Sequence, residues 1–243
     1  MQTFFPLGGR TLVVDHGRIG LGTGPPRLAS VSAASQAGAT GLAPLAIGSG
    51  YGAGLAGGLS TSGSTPITAL AGVTVTLRDA SGADRLAPLY FVSPGQINYV
   101  VPQGTGEGLA AVTVRRDGQV VATGTARILK TAPALFTANN SGQGVPAALA
   151  LTIAPSGART TVVVYVCGAA AGSCVPAPID LGAATQQVYL LLFGTGIRGY
   201  AQSVTATLGG VNVPVLGALP QPEFQGMDQV NIGPIPRSLA GRG

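Results

Sequence analysis

FVSPGQINYVVP (residues 91–102) returns 133 positions later as a looser echo, FQGMDQVNIGPIP (224–236). Each sets Gln-x-Asn in a short alternating apolar run and stops at a proline, the pattern of a half-buried β-strand with a marked end. The neighbourhood repeats as well. LAIGSGYGAG (45–54) matches LLFGTGIRG (191–199), GVTVTL (72–77) matches SVTATL (203–208), and LAPLYF (86–91) matches NVPVLG (212–217). Four blocks in one order at so long a period indicate a duplicated domain rather than a solenoid.

The segments around these blocks read as hairpins. GVTVTLRDASGADRLAPLYFV (72–92) turns at Asp-Ala-Ser-Gly, and AAVTVRRDGQVVATGTARI (110–128) turns at Asp117-Gly118, a dipeptide suited to the positive φ angles of a type I′ turn. A second set follows in TTVVVYVC (160–167), QVYLLLFGTG (187–196), SVTATLGGVNVPVL (203–216) and DQVNIG (228–233). No dozen residues keep a helical apolar period free of Gly or Pro, so the fold class expected is all-β. Residues 1–30 read as an N-terminal arm or linker, 31–135 as the first β-sandwich module and 136–243 as the second. After Pro102 the first copy continues through its Asp-Gly hairpin, whereas after Pro236 only RSLAGRG follows. The second module is therefore expected to lack its last strands. The exposed edge this leaves needs cover from the arm, another chain or further residues.

Composition narrows the partners. Apolar residues make up 46% of the 243 and charged residues only 9%, against about 25% charged in ordinary domains. The net charge of +5 comes from scattered arginines, with Arg115-Arg116 the one adjacent pair. There is no basic stripe interleaved with aromatics, which argues against nucleic acid. The longest apolar run, 162–172, is too short for a membrane span. Cys167 and Cys174 flank a loop of small residues, a spacing that suits a local disulfide better than zinc and so favours an oxidising compartment. The first residues do not show the basic start and apolar stretch of a signal peptide.

DRLAPLYFVSPGQINYVVPQGT (84–105), APALFTANNSGQG (132–144), QVYLLLFGTGIRG (187–199), VTATLGGVNVPVLGALPQPEFQGMDQVNI (204–232) and PRSLAGRG (236–243) closely resemble the Solibacter uncharacterised C-terminal domain family. The resemblance implies two tandem immunoglobulin-like modules, similar to those called IPT/TIG, at the end of a larger exported or surface protein. It carries no activity onto particular residues. Residues 1–30 and the chain's ending depart from the family pattern.

Chemistry-bearing residues are few. His16 is the one histidine, and it lies in the arm, far in sequence from any partner of a Ser-His-Asp triad. Glu223 and Asp228, with Asp180 as a third acid, are the candidates for catalytic carboxylates, and Glu223 and Asp228 for a hard cation such as Ca²⁺. The plainer reading makes them polar loop residues. The glycine runs 48–54 and 194–199 have neither the Lys-Ser/Thr nor the helix of a phosphate loop and read as tight turns after strands. The duplicated pairs Gln96/Asn98 and Gln229/Asn231 read as fasteners of loop backbone.

The function expected is a non-enzymatic binding or structural module, extracellular or at a cell surface. It would contact a protein partner, or copies of itself, through loops or by strand addition, with TLVVD (11–15) as a possible donor strand. The alternative is a hydrolase of esters, lactones or glycans, metal-dependent if Glu223 and Asp228 act together. Binding of sugars is set aside at this stage, because Trp is absent and the six Tyr and six Phe are dispersed.

Overall fold

The fold is that of a computed structural model, which describes residues 2–7, 10–15, 18–22, 25–170, 172–200 and 204–241. It is all-β, as expected, with no α-helix among the described residues. Within the segment read as an arm or linker, residues 2–7, 10–15 and 18–22 are strands. Strands β1 (Gln2–Leu7), β2 (Arg10–Asp15) and β3 (Arg18–Gly22) form an antiparallel sheet in the order β1-β2-β3. Gly8-Gly9 and His16-Gly17 separate them in sequence, dipeptides of the kind that join hairpins. TLVVD falls in β2, which has a neighbour on each side. Both its edges are used, so it is not a free donor strand.

The next nine strands make one curled sheet. They are β4 (Arg27–Ser32), β5 (Ile47–Tyr51), β6 (Ser60–Thr61), β7 (Val73–Arg78), β8 (Asp84–Ala87), β9 (Leu89–Val92), β10 (Gln96–Val100), β11 (Gly108–Arg116) and β12 (Gln119–Ile128). Their order is β6-β9-β10-β5-β4-β12-β11-β7-β8. Two devices curl it. β4 pairs β5 antiparallel and β12 parallel, and so ties one face to the other. β8 and β9 are one run of chain broken at Pro88, which has no N–H to donate; β8 stays with β7 while β9 crosses to β10. The result sets β4-β5-β10-β9 against β12-β11-β7, consistent with a β-sandwich. Val73, Val75 and Leu77 of β7, Val112 and Val114 of β11, and Ile97 and Tyr99 of β10 fill the space between, all at 1% exposure or less. Each such side chain contributes about 1.5–3 kcal/mol by leaving water. The Asp117-Gly118 turn has φ of 50° and 81°, both positive as a type I′ turn requires.

Buried Asp79 holds the β7–β8 turn to the loop between β10 and β11. Its carboxylate accepts from Ser81 Oγ (2.5 Å), Ala83 N (3.1 Å) and Gly106 N (2.9 Å) and pairs with Arg85 (2.5 Å). The Ser81 hydroxyl and these other partners hold the carboxyl well below the usual carboxylate range.

The second unit comprises β13 (Ala134–Leu135), β14 (Ala148–Ile153), β15 (Arg159–Val163), β16 (Tyr165–Cys167), β17 (Cys174–Pro176), β18 (Gln187–Thr195), β19 (Ala206–Leu208), β20 (Val211–Val213), β21 (Val215–Pro220) and β22 (Asp228–Ile232). Its main sheet runs β15-β14-β18-β22-β21, with β13 on the end of β18. The order β14-β18-β22-β21 repeats β4-β5-β10-β9, and the β19–β20 hairpin corresponds to β7–β8. Pro214 separates β20 from β21 as Pro88 separates β8 from β9. Among the described residues nothing corresponds to β11 and β12, and β19–β20 pairs with no other strand. Ile179, Leu181, Ile235 and Leu239 pack against this core in their place. Arg237 pins the two covering segments together, donating to the carbonyls of Leu181 (2.8 Å), Gly182 (2.9 Å), Gln186 (3.0 Å) and Ala183. Cys167 and Cys174 form a disulfide across β16–β17.

Strand pairing corrects the sequence alignment of the glycine runs by four residues. Gln96 lies opposite Tyr51 and Gln229 opposite Phe193, so Tyr51-Gly52-Ala53-Gly54 is the counterpart of Phe193-Gly194-Thr195-Gly196. In both, the first glycine lies under the apolar residue three positions on. A Cβ there would sit 2.9 Å from Leu55 Cδ2 or 2.6 Å from Ile197 Cδ1. Gly48 and Gly50 are therefore strand residues, not a turn. They let Tyr99 and Leu28 lie flat on β5, with a Cβ at either meeting those side chains at 3.0 Å and 3.2 Å.

Tyr99 hydroxyl is buried with no hydrogen-bond partner, and so is Ser30 Oγ. Burial pushes the Tyr99 phenol up to about 12. Below pH 10 the phenol is neutral folded or unfolded and stability is unaffected. Between pH 10 and 12 the unfolded chain ionises first and stability falls. Tyr99→Phe should match or exceed the wild type at neutral pH, because it removes an unsatisfied hydroxyl. By pH 12 it should retain about 2–3 kcal/mol more, read from denaturant midpoints across that range.

Candidate functional site

The outer face of β5 and β10 does not open to solvent along its whole length. At its lower end Ile47 N–H donates to Thr195 Oγ1 at 2.8 Å, and the same hydroxyl donates to Gly226 O at 2.6 Å. Thr195 is fully buried, and Gly226 lies so close that a Cβ would stand 2.8 Å from Ile47 Cγ1. Tyr90 OH adds a bond of 2.7 Å to Gln225 O. One threonine from β18, one loop (221–227) and one tyrosine thus clamp the two units together.

Asp228 shapes that loop. Its carboxylate accepts Ile197 N–H (2.7 Å), Arg198 N–H (3.1 Å) and Arg198 Nε (2.5 Å), while Arg198 also donates to Met227 O. The residue is fully buried. In the first unit the matching turn is closed by backbone alone, Leu55 N–H donating to Pro94 O at 3.0 Å. Asp228 does with a side chain what a carbonyl does there.

Above the clamp the units part, leaving a cleft of about 490 Å³. The first unit contributes Gln36, Ser49, Tyr51, Tyr90, Gln96 and Asn98; the second contributes Phe136, Asn140, Phe224 and Met227. None of its lining residues is charged. Tyr51 OH donates to Gln36 Oε1 at 2.8 Å, which fixes the ring. Burial raises the Tyr90 phenol above its ordinary value. On the floor, Gln96 Nε2 (2.9 Å) and Ser49 Oγ (3.0 Å) both donate to Asn98 Oδ1. The expected role for Gln96 and Asn98 was bonding to loop backbone. Instead they bond each other, as Gln229 Nε2 and Asn231 Oδ1 do at 2.7 Å, because residues two apart on a strand share a face.

The acids named from sequence are not gathered here. Glu223 is exposed on the 221–227 loop, its own N–H held by Gln221 Oε1 at 2.8 Å. Asp180 is exposed and closes a local turn onto Gly182 N at 2.8 Å. Asp228 is consumed by the Arg198 clamp. His16 lies outside the described residues. Among the described residues no three His, Cys, Asp or Glu converge as metal ligands would. A second concavity, about 450 Å³ on the outer face of β7, β8 and β11, is walled by Arg78, Arg85 and Arg115. Two of these already face Asp84 and Asp79, which leaves little net charge to recruit an anion.

Sequence reasoning picked out Gln96 and Asn98 through their duplication but missed the four aromatics around them. Tyr51, Tyr90, Phe136 and Phe224 come from widely separated segments, and no local signal joins them. No protein-family model and no curated protein matches the chain.

Replacing Asp228 by Asn would leave the Arg198 guanidinium, only 16% exposed, without its counter-charge. Asp228→Asn should cost about 2–4 kcal/mol in chemical denaturation, while Glu223→Gln and Asp180→Asn stay within about 0.5 kcal/mol.

Proposed function

We propose that the protein is a non-catalytic binding module that takes an uncharged ligand into the cleft between its two units. The observation that carries this is the lining itself: four aromatic rings and a set of amide and hydroxyl groups, drawn from both units and free of charge. Concave, largely apolar surfaces with a few placed polar groups are the usual form of ligand sites. The Cys167–Cys174 disulfide and the family resemblance support placement outside the cytoplasm, as part of a larger exported or surface protein. A hydrolase would need an acid or base over the bound ligand; of the candidate acids, Asp180 and Asp228 hold local turns, and Glu223 is exposed on the 221–227 loop.

A second reading, self-association by strand addition, draws on β15. All five of its residues are exposed, it pairs β14 alone, and Val162 and Val163 are each more than half exposed. Such an edge accepts another strand.

Two measurements separate these readings. In an NMR fragment screen of uncharged and charged compounds, hits are expected to shift Tyr51, Asn98 and Phe224 and to be lost in Phe224→Ala. Hits that ignore the cleft, or turnover of an ester or glycoside substrate that a folded Asp228→Asn variant lacks, would overturn the binding-module reading. For the edge, light scattering should show a concentration-dependent rise in mass that Val162→Lys abolishes; a constant monomer mass would dismiss it.

A further inference from the structure

We propose that the cleft ligand is a neutral saccharide, held by the Gln96–Asn98 amide pair and packed on the rings of Tyr51 and Phe224. The inference rests on the cleft-binding reading and names its ligand class.

The first support is a count of hydrogen-bonding groups. Gln96 Nε2 and Ser49 Oγ both direct a hydrogen to Asn98 Oδ1. Among the described residues Asn98 Nδ2 and Gln96 Oε1 have no partner, and both residues line the cleft. Turning both amides over, with Ser49 accepting instead of donating, exchanges the owners but not the outcome. Either way one NH₂ and one carbonyl, on two amides joined by a 2.9 Å bond, are left for a ligand. A vicinal diol meets both at once, since each hydroxyl donates and accepts. A carboxylate or phosphate only accepts, so it would leave the amide oxygen facing negative charge. A purely apolar ligand would leave both groups unsatisfied.

The second support is the rings. Tyr51 and Phe224 are each 37% exposed, open enough for a ligand to reach their rings. Tyr51 is tethered through its hydroxyl to Gln36, so its face is presented without further loss of rotamer freedom. The negative face of an aromatic ring receives the polarised C–H groups on one side of a pyranose. Arg198 and Asp228, in the adjoining clamp, pair with each other at 2.5 Å, and the charged Glu223 is exposed on the loop that carries Phe224. The volume of about 490 Å³ falls in the range of about 300–1,000 Å³ that small-molecule sites occupy. Sugar binding was set aside in the sequence because its aromatics were dispersed; folding brings four of the twelve Tyr and Phe to one place.

The test titrates the intact protein with short neutral oligosaccharides of the gluco, xylo, manno and N-acetylglucosamine series. An oligouronate serves as charged control and a blocked dipeptide amide as uncharged non-sugar control. Binding is read by saturation-transfer and ¹⁵N shift NMR. At least one neutral sugar should bind and shift Tyr51, Asn98 and Phe224. Asn98→Ala and Phe224→Ala should each weaken it about tenfold or more, and Asn231→Ala, in the matching pair of the second unit, should leave it unchanged. Phe224 is on an exposed loop, so its variant tests the idea even if Asn98→Ala fails to fold. Sugar binding indifferent to Phe224→Ala would overturn the inference. If the dipeptide amide or the oligouronate occupies these residues and neutral sugars do not, the saccharide falls but cleft binding stands. If no probe moves any cleft residue, both fall.

Discussion

The hydroxyl of Thr195 sets the spacing of the whole molecule. It accepts from a β5 N–H and donates to a loop carbonyl of the second unit, and it is fully buried. Buried polar groups are costly unless satisfied, so a bridge that satisfies one in each unit through a single oxygen strongly favours one docking geometry over its neighbours. Gly226 supports it by admitting Ile47 where any side chain would collide. Ala43, Ala46 and Ala132 form a small buried cluster of their own, again at short-side-chain positions. The cleft is what remains of the groove between the units beyond this contact.

The two copies show how a duplicated turn can diverge without losing its shape. One is closed by Pro94 carbonyl, the other by the Asp228 carboxylate with Arg198 as its counter-ion. A buried acid in so weakly charged a chain invites a catalytic reading. Here Asp79 and Asp228, the two buried acids among the described residues, direct their oxygens at backbone N–H groups and an arginine. They shape loops, and the loop shaped by Asp228 carries Phe224 and Met227 to the cleft wall.

Among the described residues no strands of the second unit correspond to β11 and β12. Where β11 and β12 cover the first core, irregular chain at Ile179, Leu181, Ile235 and Leu239 packs on the second. Irregular chain has unpaired carbonyls, and Arg237 satisfies four of them. Aliphatic cover plus one fork of donors thus supplies locally what a sheet would supply by ladder bonds.

Much of the architecture was legible in the residues. Period-two alternation marked β7, β10, β11 and β12, Asp-Gly and Gly-Gly marked their turns, and the prolines at 88 and 214 sit at corresponding breaks, because these signals act over a few neighbouring residues. The strands β1–β3 were passed over for their glycines, and β14 because ALALTI has alternating but small side chains. The true match of YGAG with FGTG needed strand pairing, since two glycine-rich runs align almost equally well four residues apart. The site was out of reach for a stronger reason. Amino-acid order determined which strands form and that they form twice; it did not determine which aromatics would meet. Tyr51, Tyr90, Phe136 and Phe224 become neighbours only because one buried hydroxyl docks two units at a particular distance, and a contact between segments so far apart in the chain leaves no trace in local pattern.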